Sequence, residues 1–419
     1  MQATSTVVGA VAKGLNFLKK QQRDWKITVI RTNTSMFLYR LVFPYLSIYI
    51  IELGASATQL GIVNSIGMIA AGFVGPFTGT LIDRIGAKKV YLFAIFMVAL
   101  SYFTYGIAQN WMIVIIAMMA YWVGNSVGIQ NCSVICANSL ENKERATGMA
   151  ICETVGMGGL GMIAPIIGAF LVTTFGGVNV SGIRPVFFIC MAGTIFTFIL
   201  VLTQLSNRRL GAPANANQNF FHSISQVFRE GKNLKRWLII FSVTSLPMGM
   251  VMPYRYVFAN EIKGADQFVL GAMVTASGLM PLVLGVVVGR LADKIGRKKV
   301  MYLSMPLVWA SNLLLIFAPN TGFLIAAGAL QGFFMLSGLP SRAMSRELVP
   351  PEQMGRWLGI SSFCSMLFSA GAVYLAGIIW DHIGPEYVFL TIIATDIFIR
   401  IPLLLGMPET LKSQTDSNT

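Results

Sequence analysis

Apolar runs of roughly 20 residues recur from Ile27 to the neighbourhood of Met407, and roughly 20 is the number of residues a helix needs to cross a bilayer core of about 30 Å. No water reaches that core, so each backbone N–H and C=O must be satisfied inside the protein, which leaves helices or closed barrels. The runs lack the period-two alternation of barrel strands. They predict an all-α polytopic membrane protein with about twelve spans. These start near Ile27, Gln59, Val90, Trp111, Ala146, Pro185, Trp237, Phe268, Val300, Gly322, Met354 and Tyr387.

The few charges, 11% of residues, are sorted by side. Lys13 to Lys26, Arg84 to Lys89, Lys143 and Arg145, Arg208 to Arg236, Arg290 to Lys299 and Arg342 to Arg356 fall at one set of helix ends. The opposite ends carry chiefly Arg184 and Lys263. The positive-inside rule then puts both termini and the long middle loop in the cytoplasm, against anionic headgroups of the bilayer. Solvated loops account for the net charge of +14, and nucleic acid is not an expected partner. Ahead of the first run, Val8, Val11, Leu15 and Leu18 share a helical face among Lys13, Lys19, Lys20 and Arg23, which predicts a short basic helix on the inner membrane surface. The first run is too long for a signal peptide and contains Arg31 and Arg40. All five cysteines fall in spans, so no disulfide framework is expected. Cys132 and Cys136 share a helical face, but no His or carboxylate joins them; they read as packing residues, and neither metal nor cofactor is expected.

The chain also repeats itself. GTLIDRIGAKKV (79–90) returns as GRLADKIGRKKV (289–300), 289 − 79 = 210 positions later. Pro44 pairs with Pro253, Tyr45 with Tyr254 and Glu52 with Glu261, each 209 apart; Gly61 pairs with Gly271, 210 apart. KERATG (143–148) faces MGRWLG (354–359). This divides the chain into a basic segment 1–26, a six-helix bundle 27–206, a polar cytoplasmic linker 207–236, a second bundle 237–407 and a tail 408–419. Parallel repeats of six spans place a pseudo-two-fold axis along the membrane normal and a central cavity between the halves. The charged loops then read as matched latches. Gly79 and Gly289 permit close helix approach, and Gly86 and Gly296 permit a tight turn. Asp83 and Asp293 can meet a helix N-terminus or a basic partner such as Arg145 or Arg356. Arg84, Lys88 and Lys89, with Arg297, Lys298 and Lys299, anchor the loops to anionic headgroups.

These two loops resemble the cytoplasmic signature of the major facilitator superfamily, which there follows spans two and eight. LENKERATG (140–148) and SRELVPPEQMGRWLG (345–359) are similar to further segments of the family, and the resemblance runs from about Ile27 to Met407. It implies alternating access driven by a proton or substrate gradient, with spans one, four, seven and ten chiefly lining the cavity. No G-x-x-x-x-G-K-[ST] phosphate loop is present, which agrees with that energy source. The glycine-rich stretch of the family's drug/proton antiporters is matched in part by GMGGLGMIAPIIGA (156–169): Pro165 and Gly168 are in place, while Ala164 and Ala169 replace glycines. Ala120 stands where those antiporters tend to carry an arginine.

An ionisable group at bilayer depth costs about 2.5–3.5 kcal/mol or more and so faces a partner or a wet cavity. Arg40, Glu153, Arg255, Asp396 and Arg400 are such groups. Arg40 in span one and Glu153 in span five are the leading substrate or proton site, with a structural ion pair as the alternative. Arg255 either draws an anion into the mouth of span seven or snorkels to the interface. Asp396 and Arg400, four apart, can pair within span twelve. Asn125, Gln130 and Asn131 in span four and Gln331 in span ten are uncharged cavity candidates, and Tyr39, Tyr45, Tyr254 and Tyr256 with Met248, Met250 and Met252 offer an adaptable apolar lining. The expected function is a monomeric secondary transporter of a prokaryotic cytoplasmic membrane, exporting amphipathic or drug-like small molecules in exchange for protons. Uptake or exchange of a small organic anion is the alternative, and a non-transporting sensor or scaffold the alternative of another class. Catalysis is not expected, since the only histidines are His222 in the linker and His382 in an outer loop.

Overall fold

A computed structural model describes residues 17, 20–141, 148, 152, 160–207, 234–349 and 354–411. Among these there is no strand, and the chain runs as twelve apolar helical stretches: α1 Arg23–Glu52, α2 Ala57–Ile85, α3 Ala87–Ile107, α4 Trp111–Ser139, α5 Leu160–Thr174, α6 Val180–Gln204, α7 Leu234–Ile262, α8 Gln267–Ile295, α9 Arg297–Ile316, α10 Thr321–Leu348, α11 Met354–His382 and α12 Pro385–Leu405. All but α5 contain a stretch long and apolar enough to cross a membrane, and the start expected for α5, near Ala146, lies outside the described residues. α1 and α7 begin a few residues ahead of the bundle edges expected at 27 and 237. Most of the basic segment 1–26, of the linker 207–236 and of the tail 408–419 also lies outside the described residues.

Local chemistry sets where the helices turn. At the end carrying the charged repeats, here the loop end, α2 passes to α3 through Gly86 (φ +93°) and α8 to α9 through Gly296 (φ +108°). One residue closes one helix and opens the next, in a conformation that a Cβ disfavours. At the far end polar side chains cap the starts instead: Ser56 and Gln59 form a capping box on α2, and Asn110, Asn179, Asp266 and Asn320 accept from backbone N–H groups of the helices that follow.

Two helices are broken at equivalent places. Pro44 sits in a tight turn at Phe43–Tyr45 within α1, and α7 is interrupted near Ser245 and Val251, beside Pro247 and Pro253, before a wide turn at Phe258–Ile262. Proline removes a donor and clashes with the preceding turn, which frees a carbonyl. α11 re-satisfies α7 at its break: the Ser369 hydroxyl donates to the Ser245 carbonyl over 3.0 Å, and Ser245 Oγ donates to the Ser365 carbonyl over 3.1 Å.

Helices α1–α6 form one bundle and α7–α12 the other. The major contacts between them are reciprocal, α2 on α11 and α5 on α8. Glycine lets them approach: a Cβ on Gly61 or on Gly271 would lie 2.8 Å from the carbonyl oxygen of Val373 or Pro165 respectively. Toward the loop end such contacts cease: among the described residues a Cβ on Gly79, Gly289, Gly338 or Gly359 would meet nothing within 4 Å. The close approach expected at Gly79 and Gly289 is therefore not made among the described residues in this conformation.

Gly86→Val should destabilise the protein by about 1–2 kcal/mol, while Gly79→Val, in open space, should change it by under about 0.5 kcal/mol. Thermal unfolding of the two variants in detergent checks the contrast.

Candidate functional site

The broken segments of α1 and α7 face one another across the bundle boundary and enclose a cavity of about 60 Å³. α1 contributes Tyr39, Phe43, Leu46 and Ser47, α7 contributes Met248, Met252 and Pro253, and α2 and α4 complete the wall with Asn64, Met68, Met118, Tyr121 and Trp122. Tyr39 stacks on Tyr121 with centroids 5.3 Å apart and meets Phe43 at 5.1 Å, and Phe43 presents its edge to Tyr256 of the other bundle at 5.4 Å. The volume suits a few waters and is far below the roughly 300–1,000 Å³ of ligand pockets. Four methionines line it, however, and their unbranched side chains can repack around a guest.

Of the lining expected from the sequence, Tyr39, Met248 and Met252 reach the cavity, whereas Met250 is buried in the core and Tyr256 stands at the edge. Asn64, Met68, Met118, Tyr121 and Trp122 were not singled out. The Tyr–Trp pair in span four was the readable signal, because that span was expected to face the cavity.

Arg40, one residue beyond Tyr39, is half-buried at the boundary between the bundles. Its guanidinium donates to the Gly161 carbonyl of α5 over 3.2 Å and presses on Gly278 of α8, where a Cβ would stand 2.8 Å from a terminal nitrogen. No carboxylate lies within ion-pair distance of Arg40 among the described residues. Glu153 and Arg145 lie outside them, and so does the side chain of Arg356, whose backbone is in α11.

The remaining candidates sit away from the cavity. Arg255 is only 2% exposed and points into its own bundle, donating to the Ala327 carbonyl (3.2 Å), Ser311 Oγ (2.9 Å) and Asn312 Oδ1 (3.0 Å). Gln331 belongs to the same cluster, accepting from Ser311 Oγ at 3.3 Å. With these partners Arg255 is held within its own bundle in this conformation. Asn131 donates to the Ala87 carbonyl over 2.8 Å and ties α4 to the first turn of α3. Gln130 faces Gly75 of α2, and Asn125 is half-buried on α4. Asp396 and Arg400 pair within α12 at 3.4 Å, and Asp396 also accepts from Trp309 Nε1 at 2.9 Å. Arg31, in the first run but not among the candidates, is buried at 6% exposure with its guanidinium 4.6 Å from the centre of the Tyr91 ring.

Beyond the cavity, the far end is sealed by a reciprocal pair. The Tyr45 hydroxyl donates to the Gln267 carbonyl over 3.0 Å, and Tyr254 shares its hydroxyl hydrogen between the carbonyls of Ala57 (3.0 Å) and Val373 (2.9 Å). Tyr254 follows Tyr45 by 209 positions and Gln267 follows Ala57 by 210, so each half performs the same contact on the other. Thr58 N–H donates to Asp381 (2.8 Å), Gln267 Nε2 to Thr173 Oγ1 (2.8 Å), and Ser65 Oγ to the Ala370 carbonyl (2.6 Å).

The two charged loops are not matched. In the second, Arg297 pairs with Asp293 and reaches Glu347 of α10 at 3.4 Å; Glu409 accepts from the backbone N–H groups of Arg297 (3.0 Å) and Lys298 (3.1 Å); and Lys298 Nζ donates to the carbonyls of Leu405 and Met407 (2.9 Å each). In the first, Ala87 stands where the second has Arg297, and Asp83, Arg84, Lys88 and Lys89 make no ion pair among the described residues.

A family model described as Major Facilitator Superfamily matches residues 30–270 and 237–417. The chain is 28% identical over 297 residues to the Multidrug resistance protein MdtG of Yersinia enterocolitica, covering 67% of this chain and 69% of that protein. It is 26% identical over 306 residues to MdtG of Proteus mirabilis, covering 69% and 73%. The crystal structure of the nucleoside transporter NupG, in a point-mutant form, superposes with a TM-score of 0.76 at 15% identity, covering 92% of this chain and 100% of that one.

The tyrosine seal carries a prediction. A neutral hydrogen bond contributes about 1 kcal/mol net, a factor of about five in population. Tyr45→Phe and Tyr254→Phe should each raise hydrogen exchange in segments 53–61 and 263–271 by about fivefold, and the double variant by about 25-fold. Unchanged exchange in both single variants would mean the hydroxyls do not hold the far end shut.

Proposed function

Because the chain belongs to the major facilitator superfamily, we propose that this integral membrane protein exports amphipathic, drug-like molecules in exchange for protons. The observation that carries this reading is the uncharged aromatic and methionine cavity between the bundles, sealed at the far end and with open space beside Gly79 and Gly289 at the loop end. A wall of π faces and flexible thioethers holds varied apolar shapes without demanding one hydrogen-bond pattern. The name of the MdtG relatives, multidrug resistance protein, supports the same cargo class.

With the basic loops inside, the conformation is one that takes cargo from the cytoplasm, in a bacterial inner membrane with both termini cytoplasmic. The bundles 27–206 and 237–407 rock about the linker 207–236. As the tyrosine seal opens, the loop end closes and brings Gly79 and Gly289 against the opposite bundle. Asp83, Arg84 and their neighbours, uncommitted here, are then available to Arg356 or Arg145. Arg40 at the boundary between the bundles, next in sequence to Tyr39 of the cavity wall, favours cargo with an anionic or strongly accepting group, and Glu153 carries the proton. The protein works as a monomer, with anionic lipid headgroups against its basic loops.

Purified protein in liposomes, with an internal pH dye and paired anionic and cationic amphipathic fluorophores, tests this. Wild type should move protons with the fluorophore. Glu153→Gln should abolish that proton movement, and Arg40→Gln should slow the anionic fluorophore about tenfold, equivalent to about 1.4 kcal/mol, while sparing the cationic one. Fluorophore flux without proton movement, unaffected by either substitution, would overturn the coupling and both residue roles.

A further inference from the structure

Three of the five cysteines converge where the sequence suggests only two neighbours. Cys132 and Cys136, one turn apart near the loop end of α4, meet Cys152 on the approach to α5. Sγ of Cys152 lies 3.6 Å from that of Cys132 and 3.8 Å from that of Cys136, and all three sulfurs lie within 4.8 Å of one another. No disulfide joins them. A metal bonded to sulfur at about 2.3 Å sets its ligand sulfurs about 3.8 Å apart in tetrahedral and about 4.0 Å apart in trigonal geometry. The two separations to Cys152, 3.6 and 3.8 Å, lie close to those values.

The surroundings suit a metal–thiolate group better than three neutral thiols. Thr32 Oγ1 lies 3.4 Å from Cys132 Sγ, and the guanidinium of Arg31 acts electrostatically on Cys132. Trp25, wholly buried, packs in the same cluster as Cys136 and Cys152. Trp25 Nε1 and Arg31 Nε are buried donors with no hydrogen-bond partner among the described residues. Buried donors are rarely left unpaired, and an electron-rich thiolate cluster is an acceptor for them. The other two cysteines show no such convergence: Cys190 donates to the Leu38 carbonyl at 3.3 Å within the core.

We propose that Cys132, Cys136 and Cys152 form a binding site for a soft divalent d¹⁰ cation of the Zn²⁺, Cd²⁺ or Hg²⁺ class. Thiolates select soft ions over Mg²⁺ or Ca²⁺. Three thiolates and a divalent ion leave one negative charge, which Arg31 neutralises; a monovalent ion would leave a second charge uncompensated in the bundle. The ion takes the place of the three thiol protons, which pass to solvent as it binds. It ties the loop end of α4 to the chain entering α5, a staple within the first bundle and apart from the cavity.

Full-length protein, reduced and then freed of reductant without air in detergent, is titrated with Cd²⁺. One equivalent should produce a sulfur-to-cadmium charge-transfer band in the ultraviolet, release about three protons into lightly buffered solution, and raise the thermal midpoint, with excess Mg²⁺ unable to compete. Cys152→Ser and Cys136→Ser should weaken Cd²⁺ binding at least 100-fold, while Cys190→Ser leaves it unchanged. The proposal fails if one equivalent gives no band, if the band survives in Cys152→Ser, or if the reduced protein binds no Cd²⁺ and air merely joins two of the three sulfurs in a disulfide. Should the serine variants not fold, the charge-transfer band and the proton count of the wild type decide alone.

Discussion

Everything else in this molecule depends on how the two halves touch at the far end, and that contact is a hydroxyl on a backbone carbonyl, made twice. Tyr45 and Tyr254 each stand just past a proline and reach the first turn of the opposite bundle's second helix. They can do so because Gly61 and Gly271 let α2 and α8 ride against carbonyls of α11 and α5 with no side chain between. The same prolines break α1 and α7, and the cavity lies at the breaks. One short pattern, proline then tyrosine followed some sixteen residues on by a glycine, thus supplies the hinge, the latch and the close approach in both halves. The seal rests on a few neutral hydrogen bonds of about 1 kcal/mol each. A few kcal/mol is the range that a ligand can offset by binding one conformation better than the other; a seal built on buried ion pairs would resist opening far more.

The loop end obeys the repeat in backbone and departs from it in charge. Gly86 and Gly296 adopt the same positive φ and turn the chain the same way. The side chains around them then diverge, because a single change, Ala87 where the second copy has Arg297, removes the group that gathers Asp293 and Glu347. Glu409 finishes the second loop by accepting from the first N–H groups of α9, where the helix dipole favours a carboxylate. The second loop is thereby fixed to its own bundle, whereas the charges of the first make no ion pair among the described residues. In the proposed rocking of the bundles, the first loop is the one whose charges have partners to gain.

Much of this was legible in the sequence, for reasons that differ by feature. The spans were, since hydrocarbon imposes length and polarity on every helix. The repeat was, and through it the pairing of Tyr45 with Tyr254, although nothing in a sequence says what a hydroxyl will reach. The Asp396–Arg400 pair was, being local to one helix. Arg255 was not: its partners Ser311, Asn312 and Ala327 are 56 to 72 positions away, on two other helices. Cys152 was not, because the contact with Cys132 spans 20 positions and two helices. Helical periodicity reports neighbours within a helix and is silent on which faces meet.

The intramembrane arginines sharpen what the cavity is for. Three of them are each accommodated within their own bundle: Arg31 on the Tyr91 ring in the first, and Arg255 on a carbonyl, a hydroxyl and an amide and Arg400 on Asp396 in the second. In the proposed rocking of the halves those surroundings stay as they are. Arg40 differs, bonded to a carbonyl of α5 and packed on a glycine of α8, which belong to opposite bundles. In the proposed cycle, opening of the α5–α8 contact would take one wall from the guanidinium and leave it facing the gap. Among the described residues it is the intramembrane arginine whose surroundings span both bundles, and that is the physical basis for proposing it, and none of the other three, as the group that favours an anionic cargo.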